Sequence, residues 1–239
     1  MTRRLVFALA LALLAAPAAA QRLAARIAAA PDGRVHFTFA ARAGVCGNGR
    51  TMISTDCTAG SCGNTFTFGR NGDEAEVAYD CEAGPVRVSL TRRGGSVASL
   101  HTYVGGRWVT PPASVVVTDL GAVATREAVD YLLDLAAQDG GRAGEQAIFA
   151  ATIADSVTVW PTLLKLARDE HLPHGTRRQA VFWLGQAAGD AATAGLTGLT
   201  DDSSVNRDVK EQAVFALSQR PREEGVPALI RVARANPDR

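Results

Sequence analysis

The stretch Gln179-Ala180-Val181-Phe182-Trp183-Leu184-Gly185 has two partial copies, Gln146-Ala147-Ile148-Phe149 before it and Gln212-Ala213-Val214-Phe215 after it, at equal intervals of 33 residues. A second series keeps the same interval: Leu163, Leu196 and Leu229, accompanied by Leu166, Leu199 and Val232. Two registers that share one period mean one structural unit copied three times. A period of about 20–50 residues marks a solenoid, in which no unit buries its apolar face alone and each does so against its neighbours. Solenoids mostly grip partners, so the function class read from the repeat is binding.

Apolar residues at i, i+1 and i+4 (Ala147/Ile148/Ala151, Ala180/Val181/Leu184, Ala213/Val214/Leu217) give each unit one packed helical face. The pattern predicts first helices over about 144–154, 175–188 and 207–219, and second helices over about 158–168, 191–200 and 222–234. Ahead of them, Thr125 followed by Ala128, Val129, Leu132, Leu133 and Ala136 predicts a capped amphipathic helix to about Gln138, stopped by Asp139-Gly140-Gly141.

The pattern is different before residue 118. Val35-His36-Phe37-Thr38-Phe39, Ala75-Glu76-Val77-Ala78-Tyr79 and Val86-Arg87-Val88-Ser89-Leu90 alternate with a period of two, as half-buried antiparallel strands do. Pro31-Asp32-Gly33, Gly47-Asn48-Gly49, Asn71-Gly72, Gly94-Gly95 and Gly105-Gly106 punctuate them as turns. Five to seven short strands in a small sandwich or open barrel are expected, with Ser114 to Thr118 as a last strand after the Pro111-Pro112 break. All four cysteines, Cys46, Cys57, Cys62 and Cys81, fall in this region. Four cysteines allow three pairings; the short spacer favours a Cys57–Cys62 bridge, which leaves Cys46 with Cys81. A four-thiolate zinc site competes with this reading, but no C-x2-C pair supplies its usual spacing.

The first 20 residues read as an export signal cleaved after Ala20: Arg3-Arg4, an apolar run from Leu5 to Ala16, then Pro17 and small residues. The run is shorter than the ~20 residues a membrane span needs. Export to a periplasmic or extracellular space agrees with cysteines that pair. The chain carries 25 basic and 24 acidic residues, so loss of Arg3 and Arg4 leaves a net charge near −1. That balance argues against a nucleic-acid partner, which selects for clustered basic excess.

Leu166-Ala167-Arg168-Asp169, Thr176-Arg177-Arg178-Gln179-Ala180-Val181-Phe182-Trp183-Leu184-Gly185, Leu199-Thr200-Asp201-Asp202 and Val209-Lys210-Glu211-Gln212-Ala213-Val214-Phe215-Ala216-Leu217 resemble the L-x-D … V-R-x-x-A-x-x-A-L-G pattern of HEAT-like repeats. The short period is similar to the variant found in phycobilisome lyases. The resemblance covers about residues 143–239 and implies an α-solenoid used mostly as a scaffold, with a lyase-accessory role in some members. The first copy departs from it, with Gly144 where Arg177 and Lys210 stand and Thr152 breaking the leucine-glycine ending. The β region is not recognised as a member of a named family.

The expectation is therefore an α+β chain of two domains: a signal peptide (1–20), a disulfide-bonded β domain (21–117), a capping helix and linker (118–142) and a HEAT-like α-solenoid of about three hairpins (143–239). Its expected role is to hold a protein or peptide along the solenoid face. Phe149, Phe182 and Phe215, with Arg178 and Trp183, are the candidate contacts, because aromatic anchors dominate interface energetics. The rings also fit simple packing between repeats. The alternatives are a lyase-accessory or enzyme-associated protein, as the resemblance implies, and a small ligand held by the β domain with the solenoid as support. No catalytic constellation and no cofactor motif is present: G-x-S-x-G and a phosphate loop are missing, and His171-Leu172-Pro173-His174 would need Asp169 or Glu170 to hold a metal.

Overall fold

The computed structural model describes residues 23–58, 61–67, 81–138, 141–187, 189–220 and 224–235. The expected signal peptide, the strand at 75–79 and the Asn71-Gly72 turn lie outside them. Eight strands are present among these residues: β1 (Gly33–Phe39), β2 (Cys46–Gly47), β3 (Met52–Thr55), β4 (Asn64–Thr67), β5 (Glu82–Ala83), β6 (Val86–Arg93), β7 (Ser96–Val104) and β8 (Val117–Ala122). They form two four-stranded sheets, a larger one of order β7-β6-β1-β8 and a smaller one of order β4-β3-β2-β5. Eight helices accompany them: α1 (Leu23–Ala29), α2 (Thr125–Gln138), α3 (Arg142–Thr152), α4 (Trp160–Arg168), α5 (His174–Gln186), α6 (Asp190–Asp201), α7 (Arg207–Ser218) and α8 (Val226–Ala235). Disulfides join Cys46 to Cys81 and Cys57 to Cys62. The molecule is thus a mixed α/β protein with two sheets, and none of its described helices is long and apolar enough to cross a membrane.

Eight strands exceed the expected five to seven, and two further features differ from the expected set of antiparallel strands. Leu23 and Ile27, one turn apart, bury one side of α1, so the region opens with a helix where strands were expected. And β8 lies parallel to β1, pairing Arg34 with Val117 and His36 with Asp119, and runs past the expected boundary at 117 to Ala122. A parallel neighbour needs a crossover connection. Trp108, within that connection, stacks flat on His36 of β1 with ring centroids 3.9 Å apart. That cover explains why β6 is buried on both faces and does not alternate: Val86, Val88 and Leu90 face the helices, while Arg87 and Ser89 lie on the Trp108 side. The Arg87 guanidinium sits 4.9 Å from the Trp108 ring and donates to the Gly49 and Gly105 carbonyls, tying two turns together.

The helices pack in a regular order. Helices α3, α5 and α7 contact one another in sequence, as do α4, α6 and α8, and α2 lies against α3. The repeated alanines Ala147, Ala180 and Ala213 are fully buried, as are Leu163 and Leu196. At Gly185 an added Cβ would come within 2.8 Å of Ala216 Cβ, so α5 and α7 approach at a distance only a glycine permits. One continuous apolar core runs from Leu23 and Phe37 through Leu132 and Ile148 to Leu196 and Leu217. At roughly 1.5–3 kcal/mol for each large side chain buried, it is the main force holding helices and sheet together.

Candidate binding cleft

Short ties position α3 and α5 against the sheets. Helix α3 packs on β7, and Gln146 Oε1 accepts the Leu100 backbone N–H at 3.2 Å. At the far end of α3, Arg42 N–H donates to the Ile153 carbonyl at 2.9 Å and Asp155 N–H to the Ala40 carbonyl at 3.0 Å. Asn64 of β4 donates to Gln186 of α5 at 3.4 Å.

Between these ties lies a cleft of about 520 Å³, with Phe66 of the small sheet, Leu100 to Tyr103 of β7 and the faces of α3 and α5 as its walls. A second cavity of about 290 Å³ lies on the other side of Phe66 and Trp183, which line both. Phe66 and Trp183 cluster there with Phe149 and Phe182 of the larger cleft. Trp183 lies 4.9 Å from Phe149, 5.0 Å from Phe66 and 5.0 Å from Phe182, and Phe66 lies 5.6 Å from Phe149, all tilted or edge-on as aromatic quadrupoles prefer. Trp183 is only 6% exposed, yet its Nε1–H finds no hydrogen-bond partner among the described residues. A buried, unpaired N–H costs about 1–3 kcal/mol, which an acceptor reaching it as the surrounding rings part would recover. Gln179 and Gln146 offer amides to the cleft, and Arg50, Arg142, Glu145 and His101 add charged or titratable groups.

The candidate residues divide accordingly. Phe149, Phe182 and Trp183 meet at the cleft. Phe215, at the equivalent position of α7, is 53% exposed and lines neither cavity, and Arg178 is also exposed and lines neither. The sequence reading missed Phe66, whose only signal is the Thr65-Phe66-Thr67 alternation.

Other constellations are accounted for. His174 Nδ1 lies 2.5 Å from Asp208 Oδ2, and this hydrogen bond holds the Asp208 carboxyl below its usual range; Asp169 accepts the His171 backbone N–H. These contacts engage the proline-interrupted histidine loop in tying its ends. Strand register aligns His101, Ser89, His36 and Asp119 across the outer face of the large sheet. A nucleophile–base–acid relay needs hydrogen bonds between its members. Among the described residues none joins this row, and Trp108 covers the imidazole.

No family model, curated protein or solved structure matches this chain.

The four sulfurs lie within 4.8 Å of one another, all engaged in disulfides. A tetrahedral zinc with Zn–S of about 2.3 Å sets its sulfurs about 3.8 Å apart, so the set has the size of a zinc site once the bonds are reduced.

Proposed function

We propose that the chain is an exported, non-enzymatic interaction module. In this reading a HEAT-like α-solenoid of three hairpins and a disulfide-bonded β domain together hold a segment of a protein partner. The regular order of helix contacts and the buried repeat alanines support the solenoid, and the paired cysteines support export. The observation that carries the binding role is the unpaired Trp183 Nε1–H, set among Phe66, Phe149 and Phe182 at the junction of two cavities. An aromatic or large aliphatic side chain fits against these rings, and a peptide carbonyl reaches the indole N–H as the rings part to admit it. Gln146 and Gln179, on successive first helices, are suited to the polar backbone of the same segment.

The cleft volume also falls within the roughly 300–1,000 Å³ of small-molecule sites, which favours a small apolar ligand as the second reading. Display selection of random nonapeptides on the full chain separates the two. We expect enrichment of sequences with one aromatic or aliphatic anchor, and a loss of about 1–2 kcal/mol, roughly 5- to 30-fold in Kd, on Phe182→Ala. Phe215→Ala should leave the affinity unchanged. Failure to enrich any anchor, or a selected peptide indifferent to Phe182→Ala, would contradict the peptide reading.

A further inference from the structure

The two disulfides do not stand apart, as two independent staples would. Cys46 Sγ and Cys57 Sγ, from different bonds, are 3.4 Å apart, and every sulfur of the four lies within 4.8 Å of every other. We propose that this cluster is a redox-convertible metal site: once both bonds are reduced by a dithiol, Cys46, Cys57, Cys62 and Cys81 bind one zinc ion as four thiolates.

Backbone pairing converges on the same four residues as the two covalent bonds. Cys46 lies on β2, whose ladder pairs it with Ser54 of β3 on one side and Ala83 of β5 on the other. Cys81 directly precedes β5, and Cys57 and Cys62 flank the tip of the β3–β4 hairpin beyond the Thr55–Asn64 pair. That tip is closed by its own backbone: Thr58 and Ser61 exchange hydrogen bonds at 2.8 and 3.1 Å, and Cys57 N–H donates to the Gly44 carbonyl at 2.9 Å. Three independent ladder contacts thus converge on one point. Cys57 and Cys62 form one close C-x4-C pair, and strand pairing brings Cys46 and Cys81 beside it in place of a second pair.

Size and chemistry both suit zinc. The separations between different disulfides bracket the ~3.8 Å of a tetrahedral tetrathiolate. Thiolates select soft or borderline ions over calcium or magnesium. Cys62 is exposed and Cys57 and Cys81 are half-buried, which opens the cluster to a reductant and an ion, while buried Cys46 anchors it. Each disulfide takes two electrons and two protons from one dithiol, which departs as its own cyclic disulfide. Zinc then displaces the four thiol protons to solvent, leaving a centre of net charge −2. In that state the ion holds β2, the β3–β4 tip and β5 together in place of the covalent links.

The test uses the full chain, reduced with dithiothreitol and desalted under nitrogen, then titrated with cobalt(II) and back-titrated with zinc. One equivalent of cobalt with the intense visible bands of a tetrahedral tetrathiolate, displaced by zinc, is expected; the oxidised chain should bind none. Cys62→Ser should weaken binding by more than the roughly 10- to 100-fold that loss of an outer-shell partner costs. Should the reduced chain lose its circular dichroism, zinc should restore it. A reduced chain that takes up no stoichiometric metal, is not refolded by it, or binds it equally well as Cys62→Ser would overturn the proposal.

Discussion

His36 shows how one residue couples burial to pH. It is pressed between β1 and the Trp108 ring, and burial pushes its pKa below the usual value, with Asp119 opposing and Arg34 and Arg87 reinforcing. The unfolded chain, free of that burial, takes up a proton near pH 6.5, before the folded one does. The stability this group contributes is therefore complete above about pH 6.5 and is lost as pH falls through the lowered folded value. Burial lowers His101 in the same direction, with Arg34 adding to it. Urea unfolding between about pH 7 and 5 should show stability falling with pH, and His36→Gln should flatten part of that slope. Equal slopes in the two proteins would show that His36 is not held neutral by its surroundings.

At the scale of elements, α1 depends on a side chain from a strand. Arg92 of β6 donates Nη1 to the carbonyls of Ile27, Ala28 and Ala30 and Nη2 to Gly95, so one buried guanidinium caps the C-terminus of α1 and fastens the β6–β7 turn. Arg92→Ala would strand these carbonyls, and a loss of about 2–4 kcal/mol in urea unfolding is expected, partly recovered by Lys, which lacks the planar fork. A change within about 0.5 kcal/mol would contradict the capping role. The same long-range dependence explains what could be read from the sequence. The α2 bounds, Thr125 and Gln138, follow from its apolar period and threonine start, and each repeat helix falls close to its expected place, because helical periodicity is local. Helix α1, by contrast, is a short alanine-rich segment held by α2 and Arg92, contacts its own residues do not encode. The parallel pairing of β8 likewise depends on a crossover, which no period-two pattern reveals.

For the whole molecule, the 33-residue period assigns equivalent positions but not equivalent surroundings. Phe149 meets Phe66 of the small sheet, Phe182 meets Trp183, and Phe215 faces outward, because among the described residues the small sheet touches the first two helices of the series and not the third. The expected stripe of three rings is thus two rings and a tryptophan, completed by a phenylalanine far away in the chain. The continuous core and the α3–β7 contact make this cleft a property of sheets and helices jointly. The direct measurement is the 15N-HSQC indole resonance of Trp183, assigned by comparison with Trp183→Phe, during titration with a selected anchor peptide. The indole N–H should shift downfield in a saturable way and gain protection from hydrogen exchange as it takes an acceptor. A peptide that binds while this resonance stays in place and exchanges as before would show that the cleft is not the binding site.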